Sequence, residues 1–178
     1  MNYDKTNFEG LFIFKTNENI DSRGVFKEVF VKDSLMTLLP KSEEFIQDNI
    51  VYSNKNVLRG LHFQTEPYSQ AKLVYVSNGK ILDIAVDLRK ESVTYGKYFS
   101  CQISKENNKQ IYIPRGFAHG YLSLEDNTIV NYKVDNYYNP KFEKGIRFND
   151  PILDIDWGLK CNQFIISEKD KSFNFYDW

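Results

Sequence analysis

The sequence has few of the features that mark secreted, membrane-spanning or nucleic-acid-binding proteins. Its apolar runs are far shorter than the roughly 18 residues of a membrane-spanning helix. The first ten residues, MNYDKTNFEG, are polar and acidic, unlike the basic and then apolar start of a secretory signal. The 23 basic and 24 acidic residues nearly cancel, so no overall field attracts nucleic acid or an anionic membrane. We therefore expect neither partner.

Cysteine and histidine are scarce, with two residues of each. Cys101 and Cys161 lack CxxC spacing and are too few for a disulfide framework, which favours a reducing, cytoplasmic location. A jelly-roll metal site normally uses three histidines, two of them as HxH, plus a carboxylate. Gln64 stands where the second histidine of an HxH pair with His62 would fall, so we expect no catalytic metal.

Motifs for several common enzyme mechanisms are also missing. The sequence contains no GxSxG, Walker or GxGxxG motif, and nucleophilic hydrolysis and P-loop phosphoryl transfer therefore have no support.

The composition is that of a globular chain, 42% hydrophobic and 26% charged, with 16% aromatic residues. Its 178 residues have the length of one domain, and we expect residues 1–178 to form it.

Apolar and polar residues alternate with a period of two along much of the chain. Residues 81–88 (ILDIAVDL) place four aliphatic side chains on one face and Ile81, Asp83, Ala85 and Asp87 on the other. Other short segments are rich in aromatic or β-branched residues and bounded by turn residues, and they too predict strands: 71–76, 97–103, 110–113 and 128–134.

Turn and helix signals fall between these segments. SNG at 77–79 and ENN at 106–108 predict turns. Asp33 can cap a short helix, SLMTLL, that ends before Pro40, and a further helical turn or two is expected near 160–170.

Short strands at roughly ten-residue spacing predict an all-β antiparallel sandwich or small barrel. We favour a jelly roll over an immunoglobulin-type sandwich, because the polar residues that alternate with apolar ones are titratable. The lumen of such a barrel, lined by every second residue, would be the natural pocket.

Four residues could carry chemistry, although each also has an ordinary structural interpretation. His62 and His119 lie in Gly-containing apolar segments, RGLHFQ and GFAHGY, where a partly buried imidazole beside a carboxylate can act as a base. Lys72 shares a strand face with two valines, so it either extends to solvent or faces an anion. Tyr132 lies between two valines of one face, where its phenol either packs in the core or delivers a proton.

Arginine is rare, with five among the 23 basic residues. Arg23, Arg59 and Arg115 lie in the Gly-containing segments DSRG, LRGLH and PRGFAHG. A chain that otherwise uses lysine can retain arginine where a planar, bidentate donor binds carboxylate or phosphate. The alternative, that these arginines have no such role, stays open.

The order of the segments is more informative than any one of them. Together they resemble the dTDP-4-dehydrorhamnose 3,5-epimerase family, the RmlC-like sugar epimerases, over about residues 11 to 170. The resemblance is carried, in chain order, by DSRGVFKEVF (21–30), QDN (47–49), SNKNVLRGLHFQ (53–64), AKLVYVSNGKILDIAVDLR (71–89), YGKYF (95–99), IPRGFAHGYLSL (113–124), YKVDNYYNPKFEKGIRFNDPILDIDW (132–157) and SEKD (167–170).

This resemblance implies a cupin-type jelly-roll β-barrel with short peripheral helices, usually a homodimer, with the active site in the lumen and no metal or organic cofactor. It implies an isomerase whose substrate is a nucleotide-linked 4-keto sugar such as dTDP-4-dehydro-6-deoxyglucose. The C4 ketone acidifies the protons on C3 and C5. A base removes one of them, an enolate forms, and a proton returns from the opposite face.

The resemblance also implies roles for individual residues. By position, His62 is the base, Asp170 its partner, Lys72 the cation beside the enolate and Tyr132 the acid on the other side. The implied substrate-binding residues are Arg59 and Arg23 at the diphosphate, Glu28, Gln47 and Asn49 at the nucleotide, Tyr138 stacked on the base, and His119 and Asp83 as polar residues of the lumen.

Two segments differ from the forms typical of the rhamnose enzyme, TEPYSQAK before Lys72 and VNYKV around Tyr132. They leave other reactions of the same fold open: 3-epimerisation alone, epimerisation of another nucleotide sugar such as a GDP-4-keto-heptose, or 3,4-ketoisomerisation. A sugar-nucleotide-binding module without turnover and a metal-dependent cupin oxygenase are the alternatives from other classes.

Overall fold

The computed structural model describes residues 2–36, 39 and 44–178. Within these ranges the chain is built mainly from β-strands, and helical structure is confined to short peripheral segments. The strands are β1 (Asn2–Lys5), β2 (Phe12–Lys15), β3 (Glu18–Asp21), β4 (Gly24–Lys27), β5 (Gln47–Ser53), β6 (Leu58–Gln64), β7 (Lys72–Asn78), β8 (Lys80–Asp87), β9 (Tyr98–Ser104), β10 (Lys109–Ile113), β11 (Phe117–Ser123), β12 (Thr128–Val134) and β13 (Glu143–Gly145). The helical segments are α1 (Lys32–Met36), a 3-10 turn (Cys161–Gln163) and α2 (Glu168–Lys171).

The strands form two antiparallel sheets and a separate hairpin. One sheet has the order β1-β2-β10-β7-β12-β5 and the other the order β13-β6-β11-β8-β9, while β3 pairs with β4. Non-consecutive neighbours in both sheets mean that the chain crosses repeatedly from one sheet to the other, as in a jelly roll. The fold expected from the sequence, an all-β cupin-like jelly roll with short peripheral helices, is confirmed.

One apolar cluster fills part of the space between the two sheets. It joins Val74 and Val130 of the first sheet to Ile81, Ala85 and Tyr121 of the second. The rest of this space is the lumen. Side chains two positions along a strand from these apolar residues point to the same inner side, whereas the side chains between them point to the outer face of the sheet.

The outer faces of the sheets are covered as well. Ile84 and Val86 of β8 pack outside the second sheet against residues of the C-terminal segment, including Phe148 and Trp157. Leu35 of α1 packs with Phe14, Leu73 and Tyr112 outside the first sheet. This explains why both faces of the ILDIAVDL strand are buried: alternate residues enter different clusters.

The local predictions agree with the structure to within one or two residues. The expected turns lie between β7 and β8 and between β9 and β10, where Gly79 and Asn108 adopt positive φ. A short helix forms as expected, but α1 begins at Lys32, so Asp33 lies inside its first turn and is not the residue that precedes it as a cap. The expected end before Pro40 lies outside the described residues. The 3-10 turn and α2 supply the helical turns expected near 160–170. No helix in the described ranges is long and apolar enough to cross a bilayer.

Two glycines allow β6 and β11 to approach closely beside the two histidines. His62 and His119 are register partners, and the ladder shifts between His119 and Tyr121. Gly60 has φ +114°, and a Cβ there would stand 2.6 Å from the Cα of Gly120. The RGLH and AHGY segments therefore use glycine to bring the two imidazoles onto adjacent strands.

Candidate active site

The lumen opens into a cavity of about 600 Å³ with walls from both sheets. The second sheet contributes residues of β6, β11 and β13, and the first sheet contributes residues of β5, β7 and β12. The cavity brings together most of the residues that the sequence predicted: Arg59, His62, Lys72, His119, Tyr132, Tyr138 and Asp170.

His62 on β6 and Asp170 on α2 are hydrogen-bonded across 108 positions of sequence. His62 Nε2 lies 2.8 Å from Asp170 Oδ1. The other carboxylate oxygen, Oδ2, accepts a hydrogen bond of 3.1 Å from the backbone N–H of Gly60. The Asp170 side chain is 5% exposed and that of His62 is 32% exposed, so the imidazole remains accessible from the cavity.

Asp170 is an ionised partner for the imidazole. Burial alone would raise its pKa, but hydrogen bonding and charge from His62, together with hydrogen bonds from Gly60 and Ser167, lower the pKa below its usual value. A carboxylate only accepts hydrogen bonds, so Nε2 of His62 must carry a proton as the donor. In the neutral imidazole the lone pair is then on Nδ1, the nitrogen that can act as a base.

Lys72 and Tyr132 lie on the facing wall, on neighbouring strands β7 and β12. Burial lowers the pKa of Lys72 to about 8, opposed by the negative charges of Asp83 and Glu143, so the group is mostly protonated at pH 7. Burial raises the pKa of Tyr132, partly offset by the charge of Arg59. The wall opposite His62 thus carries a cation and a neutral phenol that can donate a proton.

A second imidazole–carboxylate pair lies beside the first. His119 Nε2 is 2.8 Å from Oδ2 of Asp83, whose side chain is fully buried behind the histidine. Oδ1 of Asp83 has no hydrogen-bond partner within the described part of the chain. In those same ranges no cluster of three or more His, Cys, Asp and Glu side chains is suitable for holding a metal ion.

Arg59 stands where the main cavity meets a shallower one of about 420 Å³. Its guanidinium lies 3.4 Å from Ser53 Oγ and 3.5 Å from the Tyr52 carbonyl oxygen, which are long contacts for a charged donor. Gln47 donates to Asn49 Oδ1 at 2.8 Å. Both residues share a face of β5 with Val51 of the cavity wall, but neither itself lines the cavity.

The structure does not bring Arg23 or Glu28 to the cavity of the same chain. Arg23 lies in the turn of the β3–β4 hairpin, and its side chain is 88% exposed. Its guanidinium is bonded to Asp21 at 2.6 Å. Glu28 directly follows β4 and does not line the cavity either.

Sequence reasoning missed two charged residues at the mouth of the cavity, Glu143 on β13 and Lys169 on α2. Lys169 Nζ is 2.6 Å from both oxygens of Glu143, and the hydroxyl of Tyr138 donates to Glu143 Oε2 at 2.6 Å. The available signal was the family resemblance, because both residues lie in segments that carry it: Glu143 in NPKFEKG, and Lys169 directly before Asp170 in SEKD.

The fold and the site define the class of this protein as a jelly-roll carbohydrate epimerase. A family model described as dTDP-4-dehydrorhamnose 3,5-epimerase matches residues 5–177. The chain belongs to this family.

Similar proteins support the assignment over nearly the whole chain. The dTDP-4-dehydrorhamnose 3,5-epimerase of Methanothermobacter thermautotrophicus is 45% identical over 170 residues, 95% of this chain and 91% of the relative. The Escherichia coli K12 protein of the same name is 42% identical over 96% of this chain and 92% of its own length. The Legionella pneumophila enzyme, solved with dTDP-4-keto-L-rhamnose, superimposes with a TM-score of 0.93 at 40% identity, over 98% of this chain and 92% of that one. The family and the isomerase activity expected from the sequence, epimerisation of a nucleotide-linked 4-keto sugar, are confirmed.

Proposed function

We propose that this protein inverts C3 and C5 of a dTDP-linked 4-keto-6-deoxy sugar, with dTDP-4-dehydro-6-deoxyglucose as substrate. The observation that carries the proposal is the position of the His62–Asp170 pair on one wall of a cavity whose other wall holds Tyr132. The bound dTDP-4-keto-L-rhamnose of the Legionella relative supports a dTDP-sugar rather than a GDP-sugar.

Inversion at a carbon next to a ketone requires proton removal on one face and proton delivery on the other. In the proposed reaction Nδ1 of His62 removes the proton from C3 or C5, and the ionised Asp170 stabilises the imidazolium that results. The phenol of Tyr132 gives a proton to the opposite face of the ring. Because β6 and β12 belong to opposing sheets, the two groups approach the sugar from opposite sides.

The intermediate is an enolate with its charge on the oxygen at C4. Lys72 is the cation that stabilises this charge, in a partly buried position where an ion interaction is stronger than in water. A fixed positive group of this kind costs no reorganisation when the charge develops, and such groups typically contribute about 10²–10³-fold to the rate.

The nucleotide part is proposed to lie at the cavity mouth. Arg59 can direct its bidentate donors to the diphosphate from the junction of the two cavities. Gln47 and Asn49 extend the same strand face toward the nucleotide, and the half-exposed ring of Tyr138 offers a stacking surface for the base. His119 adds to the polar lining behind the sugar, and the fully buried Asp83 holds its imidazole from behind.

We also propose a cytoplasmic homodimer, in which the β3–β4 hairpin contacts a second copy. In the described residues this hairpin pairs with neither sheet, yet Ile20, Val25 and Phe26 are all exposed. Isolated hairpins are marginally stable in water, and clustered exposed apolar residues mark interaction surfaces. A second copy would also allow Arg23 and Glu28 to reach a substrate that they do not reach within one chain.

Proton exchange with solvent tests the reaction directly. We expect dTDP-4-dehydro-6-deoxyglucose incubated with the protein in D₂O to gain deuterium at both C3 and C5, as read by mass shift and NMR. Label at C3 alone would contradict double inversion, and a ketone moved to C3 would identify a 3,4-ketoisomerase. Exchange only with a GDP-linked 4-keto sugar would overturn the choice of nucleotide.

Two variants separate the proposed chemistry from other causes of exchange. His62→Asn should lose exchange, whereas Glu168→Gln, at an 89% exposed position of α2, should retain it. An unchanged exchange rate in His62→Asn would exclude His62 as the base and assign the exchange to a source other than this site. For the dimer, light scattering should give about twice the 21.0 kDa chain mass for the wild type and a lower mass for Phe26→Asp. A monomeric wild type would refute the dimer proposal.

A further inference from the structure

The segment that carries Tyr138 has little of its own to hold its shape. Residues 135–142, between β12 and β13, form neither helix nor strand. Tyr137 and Tyr138 are 65% and 53% exposed, so burial of their rings does not fix the backbone. A stacking surface binds a base most tightly when it is ordered beforehand, because ordering a side chain on binding costs free energy. Contacts from outside the segment must therefore hold it in place.

The side-chain amide of Gln64 supplies such contacts on both sides of Tyr138. Its Oε1 accepts a hydrogen bond of 2.7 Å from the backbone N–H of Asn139, and its Nε2 donates to the carbonyl oxygen of Tyr137 at 3.2 Å. Nε2 also donates to the carbonyl oxygen of Tyr68 at 3.0 Å. The two residues that flank Tyr138 are thus bonded to one buried amide group.

This amide has no donor left for a substrate. A glutamine side chain has two N–H donors, and those of Gln64 are both used on backbone carbonyls. Its orientation is fixed by its partners, because only the oxygen can accept from the N–H of Asn139 and only the nitrogen can donate to the carbonyls. Although Gln64 lines the cavity, its contribution to binding must therefore pass through the Tyr138 segment.

Other contacts hold the ends of the segment rather than its centre. Gln70 Nε2 donates to the carbonyl oxygen of Asn136 at 2.7 Å, and the ring of Phe142 lies 4.7 Å from that of Tyr68. Among the described residues, Gln64 is the only one outside the segment whose side chain is bonded to a direct neighbour of Tyr138.

The position of Gln64 connects this contact to the strand of the base. Gln64 follows His62 by two residues on β6, so both side chains lie on the same face of the strand. This is the position at which an HxH metal site would carry its second histidine. In this chain the position serves to hold the segment that carries Tyr138.

We propose that Gln64 is a positioning residue for the nucleotide base, which holds the backbone on both sides of Tyr138 so that its ring is ordered before the base binds. The inference rests on the proposed function, in which Tyr138 stacks on the base of the dTDP-sugar. Gln64 takes part in neither proton transfer. Its loss should therefore weaken nucleotide binding and leave the chemical step nearly unchanged.

The affinity for dTDP tests this inference. Gln64→Met keeps the length of the side chain but removes all three hydrogen bonds, and it should raise the Kd for dTDP about tenfold in calorimetry, as expected for one weakened base–aromatic stack. In the deuterium-exchange assay KM should rise by a similar factor, while kcat stays within about twofold of the wild type. In a Tyr138→Leu background the same substitution should change the Kd by less than about twofold, because the ring that it positions is already lost.

Two further variants separate positioning from a general loss of stability. Thr94→Val removes a hydrogen bond of 2.7 Å to the buried Asp87 in the loop between β8 and β9, which does not line the cavity. It should lower the thermal unfolding midpoint but bind dTDP as the wild type does. Gln64→Glu keeps an acceptor for Asn139, but its carboxylate cannot donate to either carbonyl, so it should bind dTDP less tightly than the wild type.

Unchanged dTDP affinity in Gln64→Met, equal losses with and without the Tyr138 ring, or a loss confined to kcat would each overturn the inference. If neither Gln64 variant folds, hydrogen exchange of the wild type decides: the Asn139 N–H should exchange at least about tenfold more slowly than in an unfolded chain, and an unprotected N–H would overturn the inference. A wild type that binds dTDP but exchanges no sugar proton would refute the proposed reaction alone, because the dTDP titration does not depend on turnover.

Discussion

Replacing Asp170 with asparagine should change the tautomer of His62 without removing volume. The backbone N–H of Gly60 requires an acceptor at Oδ2, so the new amide would direct its oxygen there and its NH₂ group to Nε2 of His62. Nε2 would then have to accept, and the imidazole proton would move to Nδ1. The nitrogen proposed as the base would thereby lose its lone pair.

The lost charge adds to this effect. Two unit charges about 4 Å apart interact by about 4 kcal/mol at an effective dielectric constant of 20. Each 1.36 kcal/mol corresponds to a factor of ten in rate, so the full effect is about 10³-fold. Since the His62 side chain is 32% exposed, solvent weakens the interaction, and we expect kcat to fall by about 10²–10³-fold.

Deuterium incorporation from D₂O measures this loss directly, with Glu168→Gln as the control that removes one negative charge from the same helix. The thermal unfolding midpoint of each variant shows whether the fold is retained. A folded Asp170→Asn protein within threefold of the wild-type rate would refute the assignment of the base to the His62–Asp170 pair.

The remaining predictions concern the facing wall and the close contact of the strands. Lys72→Met should lower kcat about 10²–10³-fold, because it removes the charge proposed to face the enolate. For the same reason the kcat of the wild type should fall as pH rises through about 8, where the Lys72 ammonium loses its proton. A pH–rate profile that stays flat to about pH 9.5 would contradict this role of Lys72. Tyr132→Phe should still exchange the first proton but yield less epimer, which NMR of labelled product detects; undiminished inversion would exclude the phenol as the acid. Gly60→Ala should reduce the free energy of unfolding by about 2–4 kcal/mol, because the new Cβ would clash with Gly120 and the positive φ disfavours alanine. A variant as stable as the wild type in urea would show that β6 and β11 are not tightly packed at this point.

Helix α2 illustrates how far local sequence can lead. The sequence predicted helical turns near 160–170, but an exposed acid in SEKDK is the ordinary interpretation of Asp170 without the family resemblance. Only the folded chain places α2 beside β6, and with it the carboxylate 2.8 Å from His62. Glu143 and Lys169 were missed for the same reason, because their relation depends on pairing between distant segments.

Arg23 and β8 give two further comparisons. The planar, bidentate guanidinium of arginine suggested a phosphate ligand at Arg23, but the structure places this residue on an exposed hairpin away from the cavity of its own chain.

In β8 the alternation of residues correctly separated the two faces of the strand. It could not show that Asp83 and Asp87 would be buried as fully as their apolar neighbours, since that depends on what covers each face.

The sequence by itself determined the strand periodicity, the turns, and the order of the segments that mark the family. These features follow from side-chain alternation and from backbone preferences of a few adjacent residues. The tertiary structure decided which side chains meet in the lumen and which tautomer the carboxylate selects at His62. Those outcomes depend on strand register and on how the C-terminal segment packs, which are set by contacts between residues far apart in the chain.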